Sequence, residues 1–106
     1  MKYGLSDKQL SEIVAVISSM PKIEKAYIFG SRAIDTYKEA SDVDIAIMGD
    51  ELTPLDAAKL KDKLEDETYL PFFFDIINFN TIKSSELIEH IHAKGKVIFE
   101  KRGEWK

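Results

Sequence analysis

Hydrophobic and polar positions along the chain follow two periodicities, which predict three helices and four strands. Apolar residues three or four positions apart indicate helices, and short runs rich in β-branched and aromatic residues indicate strands. The predicted helices cover about 6–19, 53–67 and 84–93, and the predicted strands cover about 26–29, 43–48, 71–79 and 96–100. This content predicts an α/β (α+β) fold, in which a small mixed β-sheet carries helices mainly on one face.

Local capping signals support the predicted helix starts. Ser6 and Gln9 have the spacing of a capping box, in which the two side chains satisfy backbone N–H groups of the first turn. Thr53 followed by Pro54 is typical of a helix that begins at the proline, because proline lacks the N–H that would be left unpaired there.

The first two predicted strands frame a pair of acidic residues. The first strand ends at Gly30-Ser31, and after a spacer of ten residues Asp42-Val43-Asp44 opens the second. Residues i and i+2 of a strand share a face, so the two carboxylates point the same way and repel each other. Carboxylates held like this in a partly buried site need a proton or a cation between them, and Mg²⁺ is the natural cation because it prefers oxygen ligands.

The Gly-Ser turn supplies groups that suit an anion. Gly30 lets the backbone approach a ligand closely, and Ser31 offers a hydroxyl. If a helix begins at Ser31-Arg32, its first amides and its dipole form an anion site. Either feature alone is common in ordinary turns and solvated loop ends. Phosphate at the turn and metal at the aspartates together describe a phosphoryl- or nucleotidyl-transfer centre.

A third acidic residue, Asp75, stands in the most hydrophobic stretch of the chain, 71–79. The continuous apolarity predicts a buried strand, in which a lone carboxylate must be protonated, paired or bound to metal. One interpretation is an ion pair with Arg32 or a lysine. The other, favoured by the upstream motif, is that Asp75 joins Asp42 and Asp44 as a third carboxylate.

Composition limits the classes of protein to consider. A length of 106 residues predicts a single domain over 1–106, with a short charged tail at about 101–106. The net charge of −4 argues against direct nucleic-acid binding, and the absence of cysteine excludes disulfides and thiolate metal sites. No apolar run suits a signal peptide or a membrane span, so a cytoplasmic protein is expected. The oligomeric state stays open.

Other polar residues are interpreted as structural or surface groups. The charge run 59–67 is predicted to be a solvated helix face. His90 and His92 lie two positions apart on a helix and therefore cannot chelate a metal together. Trp105 lies in the charged tail and is interpreted as unstructured or as a partner contact.

Gly30-Ser31, the ten-residue spacer and Asp42-x-Asp44 resemble the signature of the DNA polymerase β-like nucleotidyltransferases. The order of elements over nearly the whole chain is similar to the minimal nucleotidyltransferase (MNT) group, the antitoxins of HEPN/MNT type. The resemblance implies the polymerase β-like nucleotidyltransferase fold. It also implies an enzyme that uses ATP as substrate and Mg²⁺ as cofactor.

The resemblance also implies roles for particular residues. Asp42, Asp44 and Asp75 would be the catalytic carboxylates and metal ligands, with Asp75 placed to activate an attacking hydroxyl. Gly30 and Ser31 would contact the phosphates of ATP. Arg32 matches the third position of the motif and is grouped with them as a nucleotide-site residue, although its role looks more structural.

The chain departs from the family pattern directly after the motif. The family often reads Gly-Ser-Arg-Ala-Arg-Gly, whereas Ile34 and Asp35 replace the second Arg and Gly here. A positive charge and a flexible turn are missing, and a negative charge stands where phosphates could pass. Nucleotide affinity is affected by this change more directly than metal binding.

The resemblance implies transfer of AMP from ATP to a tyrosine hydroxyl of a HEPN-family ribonuclease toxin. Because no second domain is predicted, the acceptor is expected to be presented by another protein. Two alternatives stay open: an antitoxin that acts by binding alone, favoured by Ile34 and Asp35, and an enzyme that modifies a small molecule such as an aminoglycoside.

Overall fold

A computed structural model of the protein describes residues 2–38 and 41–101. In these residues the helices and strands follow the predicted order. They are α1 Asp7–Ser18, β1 Lys25–Phe29, β2 Val43–Met48, α2 Pro54–Asp66, β3 Phe74–Asn78, α3 Ser85–Lys94 and β4 Lys96–Glu100. Single turns of 3-10 helix follow β1 and β3, at Gly30–Arg32 and Phe79–Thr81. Within the described residues, no helix is long and apolar enough to cross a membrane.

The four strands form one mixed sheet with the spatial order β3-β2-β1-β4. β1 pairs antiparallel with β2 on one side and with β4 on the other, whereas β2 and β3 are parallel. The parallel pair needs a crossover connection, which α2 provides. The prediction of a mixed sheet is confirmed.

The helices divide unequally between the two faces of the sheet. Buried residues of α1 and α2, such as Ile13 and Leu60, belong to the larger hydrophobic cluster, which also contains Ile28 and Ile45 of the sheet. Strand neighbours point to the opposite face, where Ala46 packs in a smaller cluster with residues of α3. Two of the three described helices therefore share one face, as predicted.

The predicted capping box at the start of α1 is present, and α2 begins after Thr53 as predicted. The Ser6 hydroxyl accepts from the Gln9 N–H, while the Gln9 side chain accepts from the Ser6 N–H at 2.9 Å. At the start of α2 the Thr53 N–H and the Thr53 hydroxyl both donate to the Asp56 carboxylate. These bonds satisfy N–H groups that have no partner inside a helix, so the helices begin within one residue of the predicted positions.

The prediction of a buried strand over 71–79 is wrong in two respects. β3 begins only at Phe74, and it lies at the edge of the sheet with a single strand neighbour. Phe73 is 72% exposed and Asp75 is exposed as well. Only part of the apolar run enters the core: Phe74 is buried there, and Phe72 packs partly buried against it.

The sequence also predicts a short, polar, half-helical stretch at 32–40 after β1, which the described residues do not show. The 3-10 turn ends at Arg32, and residues 33–38 contain turns rather than an α-helix. The rest of the predicted stretch, residues 39 and 40, lies outside the described residues, as does Trp105 in the tail. His92 matches the interpretation as a packing residue, because its ring lies 6.0 Å from that of Tyr27 and 5.5 Å from that of Phe79.

Replacement of Asp56 by Ala should destabilise the protein in a pH-dependent way. The Asp56 carboxylate accepts from the Thr53 N–H at 2.7 Å and from the Thr53 hydroxyl at 3.1 Å. The bond from the backbone N–H is the main reason why the pKa of Asp56 is lowered from its ordinary value. We expect Asp56→Ala to lower the free energy of unfolding by about 1 kcal/mol at neutral pH.

The sign of the pH dependence follows from the lowered pKa. The stabilisation should be complete above the unfolded-state pKa of about 4 and should be lost as the pH falls through the lowered folded-state pKa. Urea titrations of wild type and Asp56→Ala from neutral pH downward measure the difference. Asp62→Ala, on the exposed side of the same helix, is the control, and its free energy of unfolding should differ little from that of wild type. If Asp56→Ala lowers the free energy of unfolding by the same amount in acid as at neutral pH, the effect is due to packing and not to the charged carboxylate.

Candidate active site

The register of the sheet brings Asp44 and Asp75 together. Asp44 in β2 lies opposite Asp75 in the parallel strand β3 and opposite Phe29 in the antiparallel strand β1. Adjacent strands are about 4.8 Å apart, and residues directly opposite each other in register point to the same face. The two carboxylates therefore emerge side by side at the beginning of both parallel strands.

Asp42 adds a third carboxylate two positions before Asp44. It is exposed, directly ahead of the first residue of β2, whereas Asp44 is partly buried. Burial raises the pKa of Asp44, and the charges of Asp75 and Asp42 raise it further, in that order; Arg32 acts in the opposite direction. Burial and the two neighbouring charges thus disfavour the negative charge of Asp44, and a nearby cation would favour it.

Asp75 differs from its predicted environment. The sequence predicts a buried carboxylate, whereas the structure shows an exposed one, because β3 is an edge strand. The alternative interpretation, an ion pair with Arg32 or a lysine, finds no support either. Asp75 forms no ion pair with a basic residue of the described part of the chain. Asp75 is therefore open to solvent and to ligands.

The carboxylates do not form a closed metal site as they stand. Across residues 2–38 and 41–101, no group of three His, Cys, Asp or Glu side chains is placed to hold a metal ion. The backbone register nevertheless sets Asp44 and Asp75 opposite each other, and exposed side chains such as Asp42 and Asp75 can change rotamer freely. Binding of an ion would require these side chains to turn toward it.

The Gly30 turn is packed directly against Asp44. Gly30 has a positive φ of 72°, and a Cβ atom added to it would collide with the Asp44 carboxylate. Only glycine combines this backbone conformation with such a close approach. The Gly-Ser turn and the aspartates are therefore parts of one surface, with Ser31 partly buried beside them.

No α-helix begins at Ser31-Arg32 in the described residues, so the condition for an anion site at a helix N-terminus is not met. The turn is closed by hydrogen bonds from the Ala33 N–H to the Gly30 carbonyl at 3.1 Å and from the Thr36 N–H to the Ser31 carbonyl at 3.0 Å. A single 3-10 turn lacks the aligned peptide dipoles of a long helix. Any phosphate contact at the turn would therefore depend on the Ser31 hydroxyl and local amides.

Arg32 braces the backbone next to the aspartates. Its side chain is 1% exposed and donates from Nε and Nη2 to the Ser41 carbonyl at 3.2 and 2.8 Å, and from Nη1 to the Tyr3 carbonyl at 2.9 Å. The guanidinium also lies over the rings of Tyr37 and Phe72, at 5.3 and 4.9 Å. Ser41 directly precedes Asp42, so these contacts favour a structural role for Arg32 over contact with a nucleotide.

Asp35 retains the backbone conformation that glycine would supply at this position. Its φ is 62°, in the left-handed region, which Asp adopts more easily than most residues. The expected loss of the family's turn is therefore not observed; what changes is chemical, because both Ile34 and Asp35 are exposed. An apolar side chain and a negative charge face solvent after the turn.

Lys61 and Glu65 have a role that the sequence did not indicate. The charge run 59–67 was predicted to be a solvated face, yet these two side chains reach the backbone of Phe74, directly before Asp75. The i, i+4 spacing of Lys61 and Glu65 was visible in the sequence. Their contact with β3 was not, because it depends on how α2 crosses the sheet.

Comparison with known families identifies the class of protein. The family described as polymerase beta, nucleotidyltransferase, matches residues 11–104, so the chain belongs to this nucleotidyltransferase family. A search of curated proteins finds no match.

Solved structures share the fold at low sequence identity. A toxin–antitoxin structure with AMP-PNP is 24% identical with a TM-score of 0.74, over 88% of this chain and 74% of that one. A complex of tri-AMPylated HEPN toxin with MNT antitoxin from Shewanella oneidensis is 22% identical with a TM-score of 0.66, over 87% and 70%. A structure from Sulfolobus solfataricus is 25% identical with a TM-score of 0.54, over 87% of this chain and 78% of that one.

Substitutions at Asp35 should separate backbone conformation from charge. Asp35→Ala, Asp35→Asn and Asp35→Gly all remove the same negative charge, so differences among them report the cost of the positive φ. We expect Asp35→Ala to be less stable than Asp35→Gly by about 1 kcal/mol, with Asp35→Asn in between. Urea denaturation of the three variants measures this order. Equal stabilities would show that residue 35 does not adopt the left-handed conformation in solution.

Proposed function

We propose that the protein transfers AMP from ATP to a tyrosine hydroxyl of a HEPN-family toxin in the cytoplasm, and so acts as its antitoxin. Membership of the nucleotidyltransferase family supports the reaction class. The partner and the transferred AMP group are proposed from two structures with the same fold, one a toxin–antitoxin with AMP-PNP and one a tri-AMPylated HEPN toxin with MNT antitoxin. The tyrosine acceptor is proposed from the family resemblance.

The observation that carries the proposal is the pairing of Asp44 with Asp75 beside the Gly30 turn. Parallel pairing fixes two carboxylates from different parts of the chain at one strand spacing, with Asp42 two residues away. Carboxylates that repel each other in this way lower the stability of the fold unless they serve a ligand. We infer that they serve a divalent cation.

The residues fit Mg²⁺ by their chemistry. The donors are carboxylate oxygens, which Mg²⁺ prefers, and a bound cation would offset the burial and the neighbouring negative charges that raise the pKa of Asp44. Asp42, Asp44 and Asp75 would hold the ion. When bound, Mg²⁺ would supply positive charge to offset the charge that develops on the triphosphate during transfer.

Transfer of AMP forms one bond, breaks one bond and releases one proton, which a side chain of this protein can accept. The tyrosine oxygen attacks the α-phosphorus of ATP, the bond from that phosphorus to the bridging oxygen breaks, and pyrophosphate leaves. The proton of the attacking hydroxyl goes to the Asp75 carboxylate, which is exposed and therefore accessible to an incoming side chain. Ser31 and the turn amides would orient the phosphates beside Asp44.

The open position of the site suits an acceptor carried by another protein. Asp42 and Asp75 are exposed, and Phe73, next to the start of β3, presents 72% of its surface to solvent. A tyrosine on a partner protein could reach such a surface without entering a deep pocket. We therefore propose a protein acceptor rather than a small molecule.

A second candidate function is neutralisation of the partner by binding alone. It is favoured by the exposed Ile34 and Asp35, which replace an arginine and a glycine often found in the family. Loss of a positive charge and gain of a negative one would weaken attraction of a triphosphate. The two functions differ in whether the aspartates are required.

Asp42→Asn combined with Asp44→Asn should abolish transfer while the protein stays folded. Removal of mutually repelling carboxylates should leave the thermal stability without metal unchanged or higher. The rate of AMP transfer from labelled ATP to the toxin should fall by more than about 100-fold, because developing charge on the triphosphate would no longer be offset. Asp50→Asn combined with Asp62→Asn, which removes two exposed carboxylates elsewhere, is the matched control.

Growth protection in cells that express the toxin separates the two candidates. If transfer neutralises the toxin, the Asp42→Asn/Asp44→Asn variant should fail to protect and the toxin should carry no AMP, while the control variant protects. A folded double variant that protects fully would contradict transfer and support binding alone.

A further inference from the structure

The outer side of β3 is held by two side chains of α2. β3 is an edge strand, so only its inner side pairs with another strand, β2. At Phe74 both outward backbone groups are nevertheless satisfied: the N–H donates to Glu65 Oε2 at 2.7 Å, and the carbonyl accepts from Lys61 Nζ at 2.6 Å. Phe74 is thus bonded as though a further strand were present.

The two side chains also bond to each other, which closes a ring. Lys61 Nζ donates to the same Glu65 Oε2 atom at 2.6 Å. We name these two side chains, together with their bonds to Phe74, the Lys61–Glu65 clamp. The hydrogen bonds from Lys61 and from the Phe74 N–H lower the pKa of Glu65, so its carboxylate stays charged in the clamp.

Stabilisation of α2 alone does not account for this arrangement. An i, i+4 ion pair supports a helix better when the acidic residue comes first, whereas here Lys61 precedes Glu65. The helix is already fixed to the sheet by the fully buried Leu60 and Leu64. The contacts of the clamp with Phe74 concern the start of β3 rather than the packing of α2.

The clamp holds the start of β3 against the sheet. Phe73 and Phe74 are held from both sides, because the Val43 N–H donates to the Phe73 carbonyl at 3.0 Å on the inner side. The first residues of an edge strand otherwise open easily. Asp75 follows directly, so its position opposite Asp44 depends on the start of β3 staying closed.

We propose that Lys61 and Glu65 are positioning residues for Asp75, acting through the backbone of Phe74. The inference rests on the proposed function, in which Asp75 receives the proton of the acceptor. A displacement of about 1 Å of such a group can lower a rate on the order of 100-fold. The clamp therefore sets the transfer rate although neither side chain touches a reacting atom.

Three variants test the clamp in the full-length protein. Glu65→Leu removes the acceptor for the Phe74 N–H, Glu65→Gln retains an acceptor oxygen at the same distance along the side chain, and Asp62→Asn is the control on the same helix. Thermal denaturation first establishes that each variant is folded at the assay temperature. Amide hydrogen exchange by NMR and AMP transfer to the toxin are then measured.

In Glu65→Leu, exchange should accelerate at Phe74 and Val43 by about tenfold or more relative to the amides that pair β1 with β2. A merely structural loss would accelerate all of these amides together. The transfer rate kcat should fall at least tenfold with the KM for ATP nearly unchanged, and Glu65→Gln should recover most of both effects. Asp62→Asn should match wild type.

Uniform acceleration of exchange, or wild-type transfer by a folded Glu65→Leu variant, would overturn the inference. A Glu65→Leu variant that loses transfer but keeps wild-type exchange at Phe74 and Val43 would also overturn it. The clamp would then not act on Asp75 through the backbone of β3. A wild-type protein that transfers no AMP would overturn the proposed function. In that case, faster exchange confined to Phe74 and Val43 in Glu65→Leu would still show that the clamp holds the start of β3.

Discussion

The parallel pairing of β2 with β3 is the constraint on which the site depends. It sets Asp44 opposite Asp75, two residues that are 31 positions apart in the chain, at the spacing of neighbouring strands. A slip of the register by one residue would turn one of the two carboxylates to the opposite face. The crossover through α2 and the capping bonds that start it therefore serve to deliver β3 in a single register.

Holding these carboxylates together requires support from the surrounding backbone. Arg32 fixes the main chain at Ser41, immediately before Asp42, and Lys61 with Glu65 fixes it at Phe74, immediately before Asp75. Arg32 and Lys61 thus both donate hydrogen bonds to backbone carbonyl oxygens next to the site. Asp44 keeps a raised pKa in spite of the nearby Arg32 charge. A bound cation would offset the repulsion among these carboxylates.

Local signals in the sequence were sufficient to predict most of the helices and strands. The strand-like runs on either side of Gly30 and Asp42, together with the capping residues, predicted the elements, because caps and hydrophobic periodicity act over only a few residues. The i, i+2 spacing of Asp42 and Asp44 predicted a shared face for the same reason. The family resemblance pointed to the same residues.

Other features depend on contacts between distant parts of the chain. The apolar stretch around Asp75 gave no sign that β3 would lie at the edge of the sheet, since apolarity does not specify strand order. The bonds of Lys61 and Glu65 to Phe74 follow from the path of α2 across the sheet. The positive φ of Asp35 shows that a replaced glycine need not change the backbone.

Asp42, Asp44 and Asp75 are proposed to hold one divalent ion beside the Gly30 turn. Crystals of the protein grown with Mn²⁺ and a non-hydrolysable ATP analogue test it directly, because anomalous scattering locates Mn²⁺ without ambiguity. We expect an ion within about 2.5 Å of a carboxylate oxygen from each aspartate, with the triphosphate along the Gly30-Ser31 turn. An ion bound elsewhere, or one bound by Asp42 and Asp44 while Asp75 stays beyond a bridging water, would contradict it.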